Sequence, residues 1–283
     1  MIPLFTLLLL QDLSTLHGAA ESAMRERRYA DAAGIYRELA EKDPKWRLNL
    51  GMALSYANKH RDAVSELKAF TKANPQPGPA YLFLGVAYLK LEQPCDAIEP
   101  LELALQWPLR PVSRWTELAD AYEGCKRWEP AAKAYAEAAK IDKPNQPGLI
   151  RQSAHCWRMA HRYDFAKPLF ASLAHESRYG NNAEFLFEYG DTLMRLDGAE
   201  VGIPWLEKAV LADPQLLPAR SALGRGLMEL DRPLDAVPHL AHAANQDPTL
   251  LLPLSRAYRA LGRRVDAAEA EAKYKSKMTE RLF

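Results

Sequence analysis

The strongest constraint on this chain is that it repeats itself. Aligned on the alanine of "YADAA" (Ala32), related phrases recur as "RDAVSEL" at Ala63, "CDAIEPL" at Ala97, "EPAAKAY" at Ala131 and "DFAKPLF" at Ala166. The series continues with "EVGIPWL" at Gly202, "LDAVPHL" at Ala236 and "VDAAEAE" at Ala267. Successive spacings are 31, 34, 34, 35, 36, 34 and 31 residues. A period in this range marks a stack of small supersecondary units, none of which can bury its apolar face alone.

About twelve residues upstream of each anchor lies a second small residue: Ala20, Gly51, Gly85, Ala119, Ala154, Gly190, Gly224 and Ser255. Apolar neighbours surround it at helical spacing, as in "LFLGVAYLKL" (82–91) and "TELADAYEGC" (116–125). Each unit therefore reads as two helices joined by a short turn, with the paired small residues at their closest approach. Bulkier side chains there would force the hairpin open, at roughly 1–3 kcal/mol. Unit ends are marked by Asp43-Pro44, Asn74-Pro75, Lys143-Pro144, Asp213-Pro214 and Asp247-Pro248, because the residue before proline avoids the helical region. Pro168, Pro204 and Pro238 fall two residues after the anchor, where a first-turn position would tolerate them.

The pattern resembles the tetratricopeptide repeat, a 34-residue helix–turn–helix with W-x2-L-G-x2-Y, A-x3-F and a closing proline. "YLFLGVAY" (81–88) with Ala97, Leu101 and Ala104 matches it closely, as does "WTELADAY" (115–122) with Ala131, Tyr135 and Ala138. The resemblance covers about 13–275. Ser153 and Trp157 in the fifth unit, and Gly202 in the sixth, depart from the pattern and are expected to weaken packing there. The resemblance implies an all-α fold, a right-handed superhelical solenoid of about eight such repeats spanning 13–283. Residues 267–283 would form a C-terminal capping helix.

The segment 1–12 is apolar from Ile2 to Leu10. It is too short for a bilayer, which needs about 20 residues. Its length fits either a secretory signal or a retained cap over the first unit, so a cytoplasmic and an exported (periplasmic) location both stand. Lys and Arg total 37 against 36 acidic residues, a net charge of +1, which argues against nucleic acid as a partner. Cys95, Cys125 and Cys156 have no zinc-knuckle spacing and read as small buried apolar residues; a Cys95–Cys125 bridge would require export. No phosphate-loop, dinucleotide, nucleophile-elbow or zinc-protease motif occurs. His155, Cys156 and His161 are spaced wrongly for one helix face. No metal, cofactor or catalytic residue is therefore expected, and the chain reads as no enzyme.

Function is read from the family resemblance. It implies a concave groove lined by the first helices, whose positions here are Leu48, Asn49, Met52 and Tyr56 in the second unit. They continue as Leu82, Phe83 and Val86 in the third and Glu117, Asp120 and Glu123 in the fourth. Arg151, His155 and Arg158 follow in the fifth, Glu188 and Asp191 in the sixth, and Arg225, Arg256 and Arg259 in the seventh and eighth. This predicts a protein-interaction scaffold for a peptide or protein segment, with an apolar end near units two and three and a basic end near seven and eight. The acid–base alternation of units four to six also reads as exposed ion pairs between neighbouring helices, each contributing about 0–1 kcal/mol. Consecutive apolar residues cannot all face one core, so Leu82 or Phe83 should be exposed or covered by a partner. Some family members grip a C-terminal carboxylate with a lysine–asparagine–arginine clamp. Here Asn49 matches, but Met52 replaces the second asparagine and Leu48 the lysine, so no such clamp is expected. The rival expectation is a self-associating structural subunit of an envelope or multiprotein complex. The partner and the oligomeric state stay open.

Overall fold

A computed structural model of the chain describes residues 4–76, 78–107 and 112–280, with backbone alone for 4–12, 112 and 113. Among the described residues there are sixteen α-helices and no β-strand, and the helices pack as consecutive pairs. The chain divides into two compact units, Met1–Leu149 and Ile150–Phe283. The first contains α1 (Leu4–Arg25), α2 (Tyr29–Lys42), α3 (Arg47–Tyr56), α4 (His60–Ala73), α5 (Pro79–Lys90), α6 (Pro94–Leu105), α7 (Val112–Gly124) and α8 (Trp128–Ile141). The second takes most of α9 (Gln146–Met159), then α10 (Tyr163–Leu173), α11 (Ala183–Asp197), α12 (Ala199–Ala212), α13 (Leu217–Glu229), α14 (Pro233–Ala244), α15 (Leu251–Ala260) and α16 (Arg264–Glu280).

The paired small residues sit where the sequence places them. A methyl group on Gly85 would collide with Leu101 and approach the Ala97 carbonyl at 3.3 Å, and one on Gly224 would meet Leu240 at 2.7 Å. Gly202 corrects the expectation that it weakens its hairpin. A β-carbon there would stand 2.5 Å from the Gly190 carbonyl oxygen and 2.6 Å from Met194 Cβ, so the missing methyl is what lets α12 lie directly on α11. Within each unit a second helix also touches the next first helix, and first helices touch one another along α3, α5 and α7 and again along α11 and α13. In the first unit this arrangement buries Leu39, Leu50, Leu54 and Leu67 in one core.

Except between α11 and α12, where Gly198 has φ 103° and ψ 167°, the turn inside each hairpin is built by a left-handed residue. Arg27, Asn58, Glu92, Lys126, His161 and Asp231 all have φ between 53° and 60°. The amide that follows reaches back five residues, as in Gln93 to Tyr88 at 3.0 Å and Arg127 to Tyr122 at 2.7 Å, which satisfies a terminal helix carbonyl. Glycine usually takes this place; among the described residues Gly262 alone does so with a similar positive φ, 74°.

Helices end before the Asx-Pro and Lys-Pro pairs, as the sequence implies. The inner prolines need a correction. Pro168, Pro204 and Pro238 are each the sixth residue of their helix, beyond the first turn. They lie on the exposed face, where the carbonyl one turn back stays open to solvent and the interruption is tolerated.

The cysteines divide differently from expectation. Cys156 is buried, but Cys95 is exposed and joined to Cys125 in a disulfide with a Cα separation of 5.1 Å. Cys95 opens α6 and Cys125 follows α7, so the bridge ties the turn of the third hairpin to that of the fourth. Gly124 lies against Pro94 there, and a β-carbon on it would stand 2.8 Å from the ring. At the N-terminus, α1 runs unbroken through residue 12. The cap or signal expected of Ile2 to Leu10 concerns residues and side chains outside those described. Among the described residues no helix is long and apolar enough to cross a membrane.

Candidate functional site

The first helices carry the residues singled out from sequence. In the first unit Leu48, Asn49, Met52, Leu82, Phe83 and Val86 are all half-buried, and Tyr56 is 48% exposed. Phe83 and Leu48 lean on the core cluster beneath them, so each presents only part of its surface. Leu82 and Phe83 are both half-buried, neither enclosed in the core nor exposed. Three aromatic rings run across successive elements: Tyr29 stacks on Tyr56 at 5.1 Å, and Tyr56 meets Phe83 edge-on at 5.6 Å. Tyr29 was not anticipated because it opens a second helix, and only its αL turn brings it beside the end of α3. A pocket of about 270 Å³ on the same helices is lined by Glu21, Met24, Arg25, Tyr36, Asn49 and Met52. Burial pushes the Tyr36 phenol up, against the Asn49 hydrogen bond that lowers it.

The fourth hairpin adds carboxylates. Glu117 is half-buried on α7 with its Oε2 enclosed and unpartnered, and burial, reinforced by Asp120, pushes its carboxyl up to about 7. The Tyr135 hydroxyl lies 2.6 Å from Asp120 Oδ1 and 2.7 Å from Glu123 Oε2. It has one proton to donate to two acids. Burial and then these hydrogen bonds drive the phenol far above its usual range.

In the second unit the corresponding acids are neutralised. Arg151 contacts Glu184 at 3.2 Å and Glu188 at 3.5 Å, His155 contacts Glu188, and Arg158 contacts Asp191 at 3.0 Å. Glu188 and Asp191 are each 7% exposed, so the pairs they make are partly or largely buried, unlike the exposed ones expected from sequence, whereas Glu184 stays open to solvent. Breaking one by removing a single partner would leave an uncompensated charge. His155, Cys156 and His161 point apart: the first to Glu188, the second into the core, the third to the Tyr163 ring. Arg259 is taken by Glu271, whereas Arg225 and Arg256 are exposed at matching positions of α13 and α15, with no ion pair among the described residues.

Consecutive paired helices with small residues at their closest approach define a helical-repeat protein. A model of the tetratricopeptide repeat matches residues 17–55 and 48–113. Residues 17–113 thus match the tetratricopeptide repeat that the sequence resembles. The solved structure of MamA is 17% identical over 58% of this chain and 96% of that one, with a TM-score of 0.52. YrrB, described as a TPR protein with an unusual peptide-binding site, is 18% identical over 65% and 95%, with a TM-score of 0.54. PilF of Pseudomonas aeruginosa is 17% identical over 71% and 96%, also at 0.54. Identities at this level show the shared fold alone. No curated protein matches this chain.

Proposed function

We propose that the chain is a non-catalytic scaffold that seats a segment of a partner protein on the face built by its first helices. Proteins of this fold are protein-interaction scaffolds, some of them peptide-binding. The observation that carries the reading is the half-exposed apolar row of the first unit, Met52, Tyr56, Leu82, Phe83 and Val86, beside a pocket sized for one side chain. Such a row offers an extended or helical segment successive anchors. Arg225 and Arg256 supply a separate place in the second unit for an acidic segment. Arg151, His155 and Arg158 contribute less, because Glu184, Glu188 and Asp191 already hold them. The disulfide supports maturation in an oxidising compartment, hence export.

The test is affinity purification with partner identification, then calorimetry on the purified pair. Leu82→Glu and Met52→Glu should weaken binding at least about tenfold, with the helical melt nearly unchanged. Variants that fold and bind like the parent would end this reading. A second reading, self-association as an assembly subunit, is favoured by three exposed aliphatic side chains of the second unit: Leu211 (83%), Leu234 (72%) and Val265 (81%).

A further inference from the structure

The two units contain the same juxtaposition with opposite outcomes. In each, a first helix bearing carboxylates follows another first helix: α7 after α5, and α11 after α9. Counted from the small anchor, Glu117 and Asp120 on α7 hold the places that Glu188 and Asp191 hold on α11, two before and one after. On α9 the residues three before, one after and four after the anchor Ala154 are Arg151, His155 and Arg158, and they neutralise the acids opposite. On α5 the same places, counted from Gly85, hold Leu82, Val86 and Leu89. Where the second unit has arginine, histidine and arginine, the first has leucine, valine and leucine.

The acids of α7 are consequently left over. Among the described residues, Glu117, Asp120 and Glu123 take part in no ion pair, and one tyrosine hydroxyl is shared between two of them. Arg114 and Lys90 attract Glu117 only at longer range. Arg114 is itself turned inward, donating to the Ala104 carbonyl and lying over the Trp107 ring. A half-buried carboxylate without a counter-ion gains from any cation brought to it, more than an exposed one would. The apolar strip beside it suits the hydrocarbon stem of a lysine or arginine, which can lie along Leu82 and Val86 while its head reaches the acids.

We propose that the first-helix face of the first unit takes a cationic amphipathic segment of a partner protein. Its apolar side chains lie on Met52, Tyr56, Leu82 and Val86, and its lysines or arginines reach Glu117, Asp120 and Glu123. This rests on the reading of that face as a peptide seat, and it fixes the sign of the partner's charge. Apolar residues alone would accept many sequences; the unmatched acids select among them and reject acidic segments by like-charge repulsion.

The test uses the full chain and three fluorescent peptides. They share a leucine- and phenylalanine-containing half and carry three lysines, three serines or three glutamates in the other. The lysine peptide should bind at least about tenfold tighter than the glutamate peptide at low ionic strength, with serine between them and the gap closing in high salt. The double variant Asp120→Asn/Glu123→Gln keeps acceptors for Tyr135 and should shrink the gap several-fold without moving the melt. Placing the second unit's cations on α5, as Leu82→Arg/Leu89→Arg, should abolish the lysine preference. Equal binding of all three peptides would overturn the charge assignment while leaving the seat itself standing. Binding of none would remove the seat, and this proposal with it. A lysine preference that survives the double variant would show that the charge is read elsewhere and would also overturn it.

Discussion

A methyl group at position 202 has no room. Its β-carbon would stand 2.5 Å from the Gly190 carbonyl oxygen, which belongs to a helix backbone and cannot swing aside as a side-chain tip would. Gly202→Ala should therefore destabilise the protein by about 1–3 kcal/mol in urea denaturation, although alanine is the better helix former and is what the repeat pattern asks for. Glu117 gives the second prediction at this scale. Burial raises its carboxyl from 4.5 to about 7, so the folded chain holds a proton there that the unfolded chain has lost. That contribution is complete below about pH 4.5 and disappears as pH rises through about 7. Glu117→Gln should gain about 1–2 kcal/mol over the parent at pH 8 and little at pH 5, after allowance for solvent screening of a partly exposed group. An equal effect at both pH values would show that the proton is not held there. The helical face of Glu117 was legible from the repeat register. Its missing counter-ion was not, because that depends on which side chains of α5 lie opposite.

At the scale of elements, the joint between the third and fourth hairpins is held by more than packing. The disulfide closes a loop with a sequence separation of 30 residues, which by loop entropy stabilises that joint by about 3–4 kcal/mol. Cys95→Ser or reduction should lower the urea midpoint and raise amide exchange in α6 and α7 ahead of α13 and α14. Unchanged exchange across α6 and α7 would show that the bridge adds nothing there. The sequence left this bridge conditional, since two cysteines thirty residues apart carry no record of their distance. The missing side chain of Gly124 leaves room for Pro94 beside the bridge, where a β-carbon would stand 2.8 Å from the ring. The α9–α11 ladder tells the same story from the other side. Apart from Glu184 its residues were nameable as lining positions, yet only packing shows Glu188 and Asp191 sunk to 7% exposure under Arg151, His155 and Arg158.

For the molecule as a whole, a net charge of +1 conceals local imbalance: uncompensated acids on α7, and open arginines on α13 and α15. Arg225→Glu/Arg256→Glu should weaken capture of an acidic peptide at low salt by about tenfold and leave a lysine peptide unaffected. Loss of both would mean that the two surfaces are not independent. In light scattering without a partner, a scaffold keeps constant mass from about 5 to 200 µM, whereas growth in mass would favour the assembly reading. By itself the sequence determined the repeat, the hairpins, the places of closest approach and the helix ends. Each of these is set within one or two units by side-chain size, periodicity and proline, and so is written along the chain. Only the tertiary structure decided which charges cancel, which cysteines join and which apolar residues stay half-open. Those outcomes depend on what lies opposite across a helix–helix contact, and the same residue type at the same place can be neutralised in one hairpin and left waiting in another.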